Sequence, residues 1–419
     1  MVTLITGGRD SHYVCALAKA LASSGIALDV VGDSEMNACE MCGFVNVKLL
    51  ALYATQRPGQ GLLRRLLSYI GVYVRLIGYA VTGSPETFHI LWDYKFPFFD
   101  RTLLLLYYKF LGKKIIFTAH NVNRAERDGA DSPWNRLTLR IQYRIVDHIF
   151  VHTKDMKEQL ASSFGTNADK VTIIPFGAGG MVPTSGLTPA EAKRRIGLHE
   201  SYRTILFFGR IAKYKGLDLL VDAFERIAVD DQRYRLIIAG ESTSDWAEHW
   251  NEIRAAIESS PMREQVIKEI RHIADEEMEK YFKAADVLVL PYRDISQSGV
   301  LFMSHSFGLP VIATDVGAFR EEIVEGTNGL VCRRNDPKDL ARVIECYFSS
   351  ELYRSLDERR ANIQNLVRLG HSWDIVAKAT SHVYARVSQN VSVKHRASAK
   401  CNRGGPRSDQ ADFAESLDS

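Results

Sequence analysis

The 419-residue sequence has no apolar segment both long enough and free enough of charge to cross a bilayer. Its longest apolar region, residues 61–81, is broken by Arg64, Arg65 and Arg75, whereas a spanning helix needs about 20 residues with few or no charges. There is also little net charge: 53 basic against 50 acidic residues leave +3, which gives no footprint for nucleic acid over the whole surface. Cysteine is sparse, six residues in all, and the single C-x-x-C at Cys39 and Cys42 has no second pair to complete a zinc site. The six are read as small buried hydrophobes in a reducing compartment. Residues 2–6 run directly into Gly7-Gly8 without the charged and apolar regions of a secretory leader, so the expected location is the cytoplasm.

The chain does contain a regular alternation. Residues 2–6, 28–31, 88–91, 114–118, 148–151 and 171–174 are short apolar or β-branched runs, with helical patterns between most of them. After Pro175 comes a stretch rich in glycine with one proline, Pro183, ending at Gly186, which reads as a linker. Thr188-Pro189-Ala190-Glu191 then supplies an N-cap threonine, a proline at the first helical position and an acid at the third. A second series follows at 204–208, 235–239, 265–270, 287–290, 311–314 and 329–332. Strands alternating with helices predict α/β architecture with mainly parallel sheets. The expected domains are 1–178, a linker at 179–187, and 188–387 with a last helix crossing back. Residues 388–419 are polar and basic and read as a disordered tail.

Two elements of the second half carry chemistry. A buried strand ends in Gly209-Arg210 and leads through Lys213 and Lys215 into a helix. In an open α/β sheet, ligands sit beyond the carboxyl ends of the strands, and cations there suit a diphosphate. The second element is Gln297-Ser298-Gly299-Val300, a turn of small residues that opens a helix. Its free backbone N–H groups and macrodipole favour an anion.

Gly209-Arg210 with Lys215-Gly216, then residues 275–292, then Phe307-Gly308-Leu309-Pro310 and on to Gly317, occur in the order seen in retaining family-four glycosyltransferases. The chain resembles that family over most of residues 1–385, more strongly in the second half. The resemblance implies the GT-B fold, in which two Rossmann-like domains with parallel sheets face a cleft. It implies transfer of a hexose-type sugar, with retention, from a nucleotide-sugar donor, UDP- or GDP-linked. Arg210 and Lys215 match the cations on the donor diphosphate, and Gly7-Gly8 match a loop whose backbone approaches donor and acceptor. His120, in the strand end at 117–121, matches a histidine facing the transferred sugar. Gly209, Gln297, Ser298, Gly299 and Val300 match the donor site, and Glu321 matches an acid after the Val-Gly turn.

The sequence departs from the family at its pair of glutamates. Ile295 and Met303 stand where those are usual, and neither accepts a hydrogen bond as a carboxylate does. No Asp-x-Asp or histidine cluster suggests a metal, and no separate cofactor is expected, so Arg210, Lys215 and the helix start carry the leaving group's charge. The acceptor side is apolar and basic. Residues 62–75 and 98–114 read first as core helices whose arginines reach outward, and alternatively as a surface for an anionic bilayer presenting a lipid-linked or glycan acceptor. Arg124 and Arg127 either meet an anionic acceptor or pair with Glu126 and Asp128. Other readings are a sugar-nucleotide epimerase of the same fold and a degenerate binding protein. A nicotinamide dehydrogenase is disfavoured, because Gly7-Gly8-Arg9 lacks the full G-x-G-x-x-G pattern.

Overall fold

The computed structural model describes residues 1–33, 43–53, 61–179 and 184–401, with side chains through residue 389. Strands β1 Val2–Ile5, β2 Leu28–Gly32, β3 Val47–Ala51, β4 Thr87–Ile90, β5 Lys114–Thr118, β6 His148–Val151 and β7 Val171–Ile173 form one parallel sheet. Their order is β3-β2-β1-β4-β5-β6-β7. Strands β8 Arg203–Phe208, β9 Tyr234–Ala239, β10 Val266–Glu269, β11 Val287–Leu290, β12 Val311–Thr314 and β13 Gly329–Cys332 form a second, in the order β10-β9-β8-β11-β12-β13. In each sheet the winding reverses once, between β1 and β4 and between β8 and β11, and ligands of such folds sit beyond the strand ends at that reversal. The loops at these two points carry Gly7-Gly8 and Gly209-Arg210.

Central strands such as β8 and β11 are buried almost throughout and are correspondingly continuous apolar runs. Sequence analysis missed β3, because it is a half-exposed edge strand whose apolar run is broken by Lys48. The helices needed below are α1 Ser11–Ser23, α2 Leu62–Thr82, α3 Pro97–Arg101, α4 Leu103–Phe110, α5 Pro133–Ile145, α6 Leu217–Ala228, α7 Gly299–Ser306, α8 Phe319–Glu322 and α9 Trp373–Cys401. Helix α6 shows how they form: Leu217, Leu220, Val221, Phe224 and Ile227 repeat at three- and four-residue spacing and bury one face.

The first sheet is covered on both sides. Tyr13, Leu17 and Leu21 of α1 share a core with Val376, Val383 and Tyr384 of α9, so the last helix crosses from the second domain back to the first. Helices α2 to α5 pack their inner faces on the other side. Helix α9 continues in backbone to Cys401, so the expected tail from 388 begins no earlier than 402. The reason is the absence of Gly or Pro before Gly404 in a run that includes the helix formers Ala397, Ala399 and Lys400. Residues 402–419 lie outside the described residues, as does the pair Cys39 and Cys42.

The connection between domains is clamped. An added Cβ at Gly177 would lie 2.5 Å from the Trp373 ring. The indole Nε1–H of Trp373 donates to the Gly179 carbonyl at 3.2 Å. Thr188 and Glu191 then form a reciprocal capping box. Cys15 and Cys332 are buried as small hydrophobes, but Cys346 is exposed, because it lies on the outer face of its helix beside Arg342.

Candidate active site

Strand β8 ends in Gly209, whose φ of 104° is a conformation that side-chain-bearing residues rarely adopt. An added Cβ would sit 2.8 Å from the Lys215 Nζ and 3.7 Å from Val300 at the start of α7. The glycine therefore leaves room for the ammonium to lie against the helix start. Lys215 is buried, with its Nζ 5.3 Å from the centre of the Tyr292 ring. Burial pushes its ammonium below the ordinary lysine range; Tyr214 opposes this, and Arg210 and Arg127 add to it. Arg210 is half exposed, and its recorded acidic partner is Glu241, 3.9 Å away. The N-cap of α7, Ser298, is buried and makes no side-chain cap, so the first amides of the helix lack that partner. Gln297 has a buried side-chain Nε2 without a partner. The result is a collection of unsatisfied donors and cations ready for an anion.

Across the cleft, His120 follows β5. Its ring lies flat on Trp92, with centroids 4.3 Å apart and an interplanar angle of 9°, and Tyr13 meets it edge-on at 4.9 Å. Its Nδ1 is 3.1 Å from His152 Nε2, and His152 Nδ1 is 3.3 Å from the Ile174 carbonyl oxygen. A carbonyl only accepts, so His152 carries its proton on Nδ1 and accepts with Nε2. His120 must then donate from Nδ1, which leaves its Nε2 as a lone-pair acceptor. That Nε2 is buried and has no partner. Burial first, then His152 and His89, holds His120 well below the usual histidine range, and burial brings His152 down to about 4. Both rings are therefore neutral, and the His120 Nε2 lone pair is suited to accepting a hydrogen bond from a hydroxyl rather than to carrying charge.

The two halves meet around a cavity of about 390 Å³ whose walls include Arg9, Trp92, His120, Arg124, Arg127 and Arg210. Lys95 and Arg101 also line it, and Asp93 is the acid among its lining residues. Asp93 is already engaged by Arg101 at 2.7 Å and by Gln142 at 2.8 Å, so the cavity is cationic. Burial lowers the Arg9 pKa, with Arg124 and Arg210 adding to it and Asp93 opposing. Two contacts hold the domains across the cleft. His12 lies 2.9 Å from Asp275, and the Arg127 guanidinium stacks 4.2 Å from the centre of the Tyr214 ring. Of the two acids offered as partners for Arg124 and Arg127, Asp128 takes both, from Arg124 at 3.1 Å and from Arg127 at 2.8 Å, whereas Glu126 pairs with Arg136 at 3.1 Å.

Not every expected residue faces this cavity. Gly7 and Gly8 have φ of 63° and 65°, but their amides are used within the loop, Gly7 N donating to Tyr53 Oη at 3.1 Å and Gly8 N to Thr6 Oγ1 at 3.2 Å. An added Cβ at Gly7 would lie 2.6 Å from the Trp92 carbonyl, so this glycine lets the loop pack under the residue that supports His120. Glu321 is exposed on α8, while its neighbour Glu322 pairs with His371 at 3.1 Å. Ile295 is buried in the second core, and Met303 packs against it. Sequence reasoning passed over Trp92, His152 and Arg9. All three lie at or just beyond strand ends of the first sheet, so the rule that applies to His120 marks their positions, though not their partners.

The description "Glycosyl transferases group 1" matches residues 202–350, and "Glycosyltransferase Family 4" matches residues 11–178. The chain is 26% identical over 259 residues to a D-inositol 3-phosphate glycosyltransferase of Geodermatophilus obscurus, covering 59% of this chain and 56% of the relative's length. The chain thus spans little more than half of that relative. A D-inositol 3-phosphate glycosyltransferase of Nocardioides sp. is 23% identical over 404 residues, 92% of this chain and 86% of its own. Among solved structures, Anabaena HepE in complex with UDP and glucose superposes with a TM-score of 0.70 at 15% identity, over 92% of this chain and 98% of that one. That likeness shows the two-domain GT-B fold.

Proposed function

The chain belongs to the family-four, group 1 glycosyltransferases, and from that premise we propose that it transfers a hexose-type sugar from a nucleoside-diphosphate sugar to an acceptor, with retention of configuration. The observation that carries the reading is the pairing of two half-sites. Arg210 of the second domain and His120 of the first line one cavity, and behind Arg210, at the end of β8, Lys215 lies beside the uncapped start of α7. Fixed cations and helix-end amides stabilise negative charge growing on a departing diphosphate, and this supports transfer without a divalent ion. UDP or GDP is the expected leaving group.

The neutral His120, with its acceptor lone pair, suits a sugar hydroxyl and orients the donor against the acceptor. Arg9 and Arg124 remain on the acceptor side once Arg210 and Lys215 hold the diphosphate. They favour an anionic acceptor, in keeping with relatives named for a phosphorylated inositol. The working location is the cytoplasm, with peripheral contact on the inner face of the membrane. Among the described residues no helix is long and apolar enough to cross a membrane.

Thermal unfolding with a panel of nucleoside diphosphates tests the donor half. A diphosphate at 100 times its Kd adds about 2.7 kcal/mol of stability, visible as a shifted midpoint. A panel in which neither UDP nor GDP moves the midpoint removes the donor site as placed here. The transfer half is tested by mass spectrometry of nucleotide sugars incubated with phosphorylated polyols and glycans.

A further inference from the structure

The large apolar side chains that stay exposed are concentrated on one layer of the first domain, formed by α2, α3, α4 and α5. Helix α2 buries Val72, Tyr73, Leu76 and Ala80 toward the sheet. The opposite stripe is equally apolar and remains outside: Leu63 is 71% exposed, Leu67 59% and Val74 62%. An apolar stripe on the outer side of a helix, beyond the one that faces the core, normally has a cover of its own. The stripe continues onto neighbouring helices, where Phe110 is 88% and Trp134 71% exposed.

Three contacts make the layer continuous. The Tyr73 ring stacks on Phe96 with centroids 5.7 Å apart, Tyr107 Oη donates to the Ile77 carbonyl at 3.2 Å, and Arg101 donates to Asn135 Oδ1 at 2.8 Å. An area of this kind marks an interaction site rather than scattered surface apolarity.

The charges choose the occupant. Helix α2 carries Arg64, Arg65 and Arg75 and no acidic residue, and all three arginines are exposed. Helix α5 carries exposed Arg136, Arg140 and Arg144 and no acid of its own; Arg136 pairs with Glu126 and Asp131 outside the helix, and Arg140 and Arg144 follow Trp134 and Leu137 along one stripe. A second copy docking by two-fold symmetry would bring these arginines against one another. An anionic bilayer instead places the apolar stripe at the acyl boundary, tryptophan at headgroup depth and arginines on lipid phosphates.

We infer that the outer face of α2 to α5 docks on an anionic membrane surface. The inference specifies the peripheral contact proposed above and is independent of sugar transfer. It has a consequence for substrate class. Lys95 and Pro97 line the cleft cavity, and they flank Phe96, which belongs to the docked layer. The cavity then opens beside the headgroups, where an acceptor anchored in lipid would enter from the edge.

The test is flotation of the full chain with phosphatidylglycerol–phosphatidylcholine vesicles at low salt. Wild-type protein should float, and pure phosphatidylcholine should lower the vesicle-bound fraction by at least ~10-fold. Two variants, Leu63→Glu with Leu67→Glu and Arg64→Glu with Arg65→Glu, change only exposed positions and should each lower it to a similar degree. They should retain nucleoside-diphosphate binding, which shows that the chain is folded. Equal recovery of wild type with and without vesicles overturns the docking. So does a concentration-dependent dimer that Leu63→Glu with Leu67→Glu abolishes while nothing floats. Loss of diphosphate binding by a wild type that still floats would remove the donor reading and leave this one standing.

Discussion

The two domains share one architecture but build their halves of the site from different material. In the second domain, backbone does most of the work: a positive-φ glycine, an uncapped helix start and two cations at the winding reversal of the sheet. In the first domain, aromatic packing and a two-histidine chain hold one ring nitrogen toward the cleft, and the surrounding surface stays apolar and basic. On the proposed function, the difference follows from the ligands. A diphosphate is the same in every nucleotide-sugar donor, so a fixed set of amides and cations serves it. An acceptor has to be recognised by shape and side chain.

The largest effect should come from the donor side. Arg210→Ala is expected to abolish transfer and to weaken nucleoside-diphosphate binding by about 1.5–3 kcal/mol, the range for hydrogen bonds to charged groups. Calorimetry giving unchanged affinity would place the diphosphate elsewhere and collapse the contrast between domains. Next in size is the first domain's own contribution. His120→Ala should reduce kcat by about 10–100-fold, as for loss of a hydrogen bond that orients the reacting sugar, while leaving diphosphate affinity intact. His152→Phe should do the same in part, because without its Nε2 acceptor the His120 tautomer is no longer fixed. His152→Gln, whose carbonyl oxygen can still accept, should restore activity. Histidine ¹⁵N NMR that finds the His120 proton on Nε2 would sink that account.

A third effect contrasts the domains in acid. Burial depresses His89 to about 3 and His148 and His152 to about 4, and it lowers His120 as well, all in the first domain. In the second domain burial takes His305 to about 4. A histidine whose folded pKa lies below its unfolded value of about 6.5 binds more protons unfolded. Its contribution is therefore intact above 6.5 and is lost as pH falls toward 4. Asp100 works the other way: burial, helped by Asp93, raises its pKa to about 7, so what it contributes is lost as pH rises. One such group offsets only part of four. Hydrogen exchange at pH 7 and pH 5 should show the first domain losing protection before the second; the reverse order would break the comparison.

The legibility of the sequence divided along the same line. Most of the buried parallel strands are continuous apolar runs and could be read directly, as could Arg210 and Lys215 beyond β8. Edge strand β3 could not, because half exposure weakens the pattern that identifies a strand. Residues 62–75 read first as core because the apolar residues of α2 extend well beyond one face, and arginines that reach outward do not show which apolar side is covered. His152 was passed over because its role is relational, coming from a ring 32 positions earlier in the chain and a carbonyl 22 positions later.

The smallest expected effect concerns Glu321, and it sharpens the account of the second domain. Matched on the Val316-Gly317 turn, this acid belongs to the donor site. In the structure it is exposed on α8, while Glu322 takes the His371 ring at 3.1 Å and His371 in turn reaches the Phe176 carbonyl at 3.1 Å. The acid that does structural work here ties the second domain to the interdomain connection and lies one position further on. Glu321→Ala should therefore change stability and diphosphate affinity by no more than about 0.5 kcal/mol, as for surface substitutions without buried partners. Glu322→Ala should lower the melting temperature by loosening the clamp. Tenfold weaker nucleotide binding in Glu321→Ala would mean that the ribose is held at the position the motif suggests. The missing glutamate at Met303 would then have been replaced from α8 rather than from Gln297, whose side-chain Nε2 has no partner.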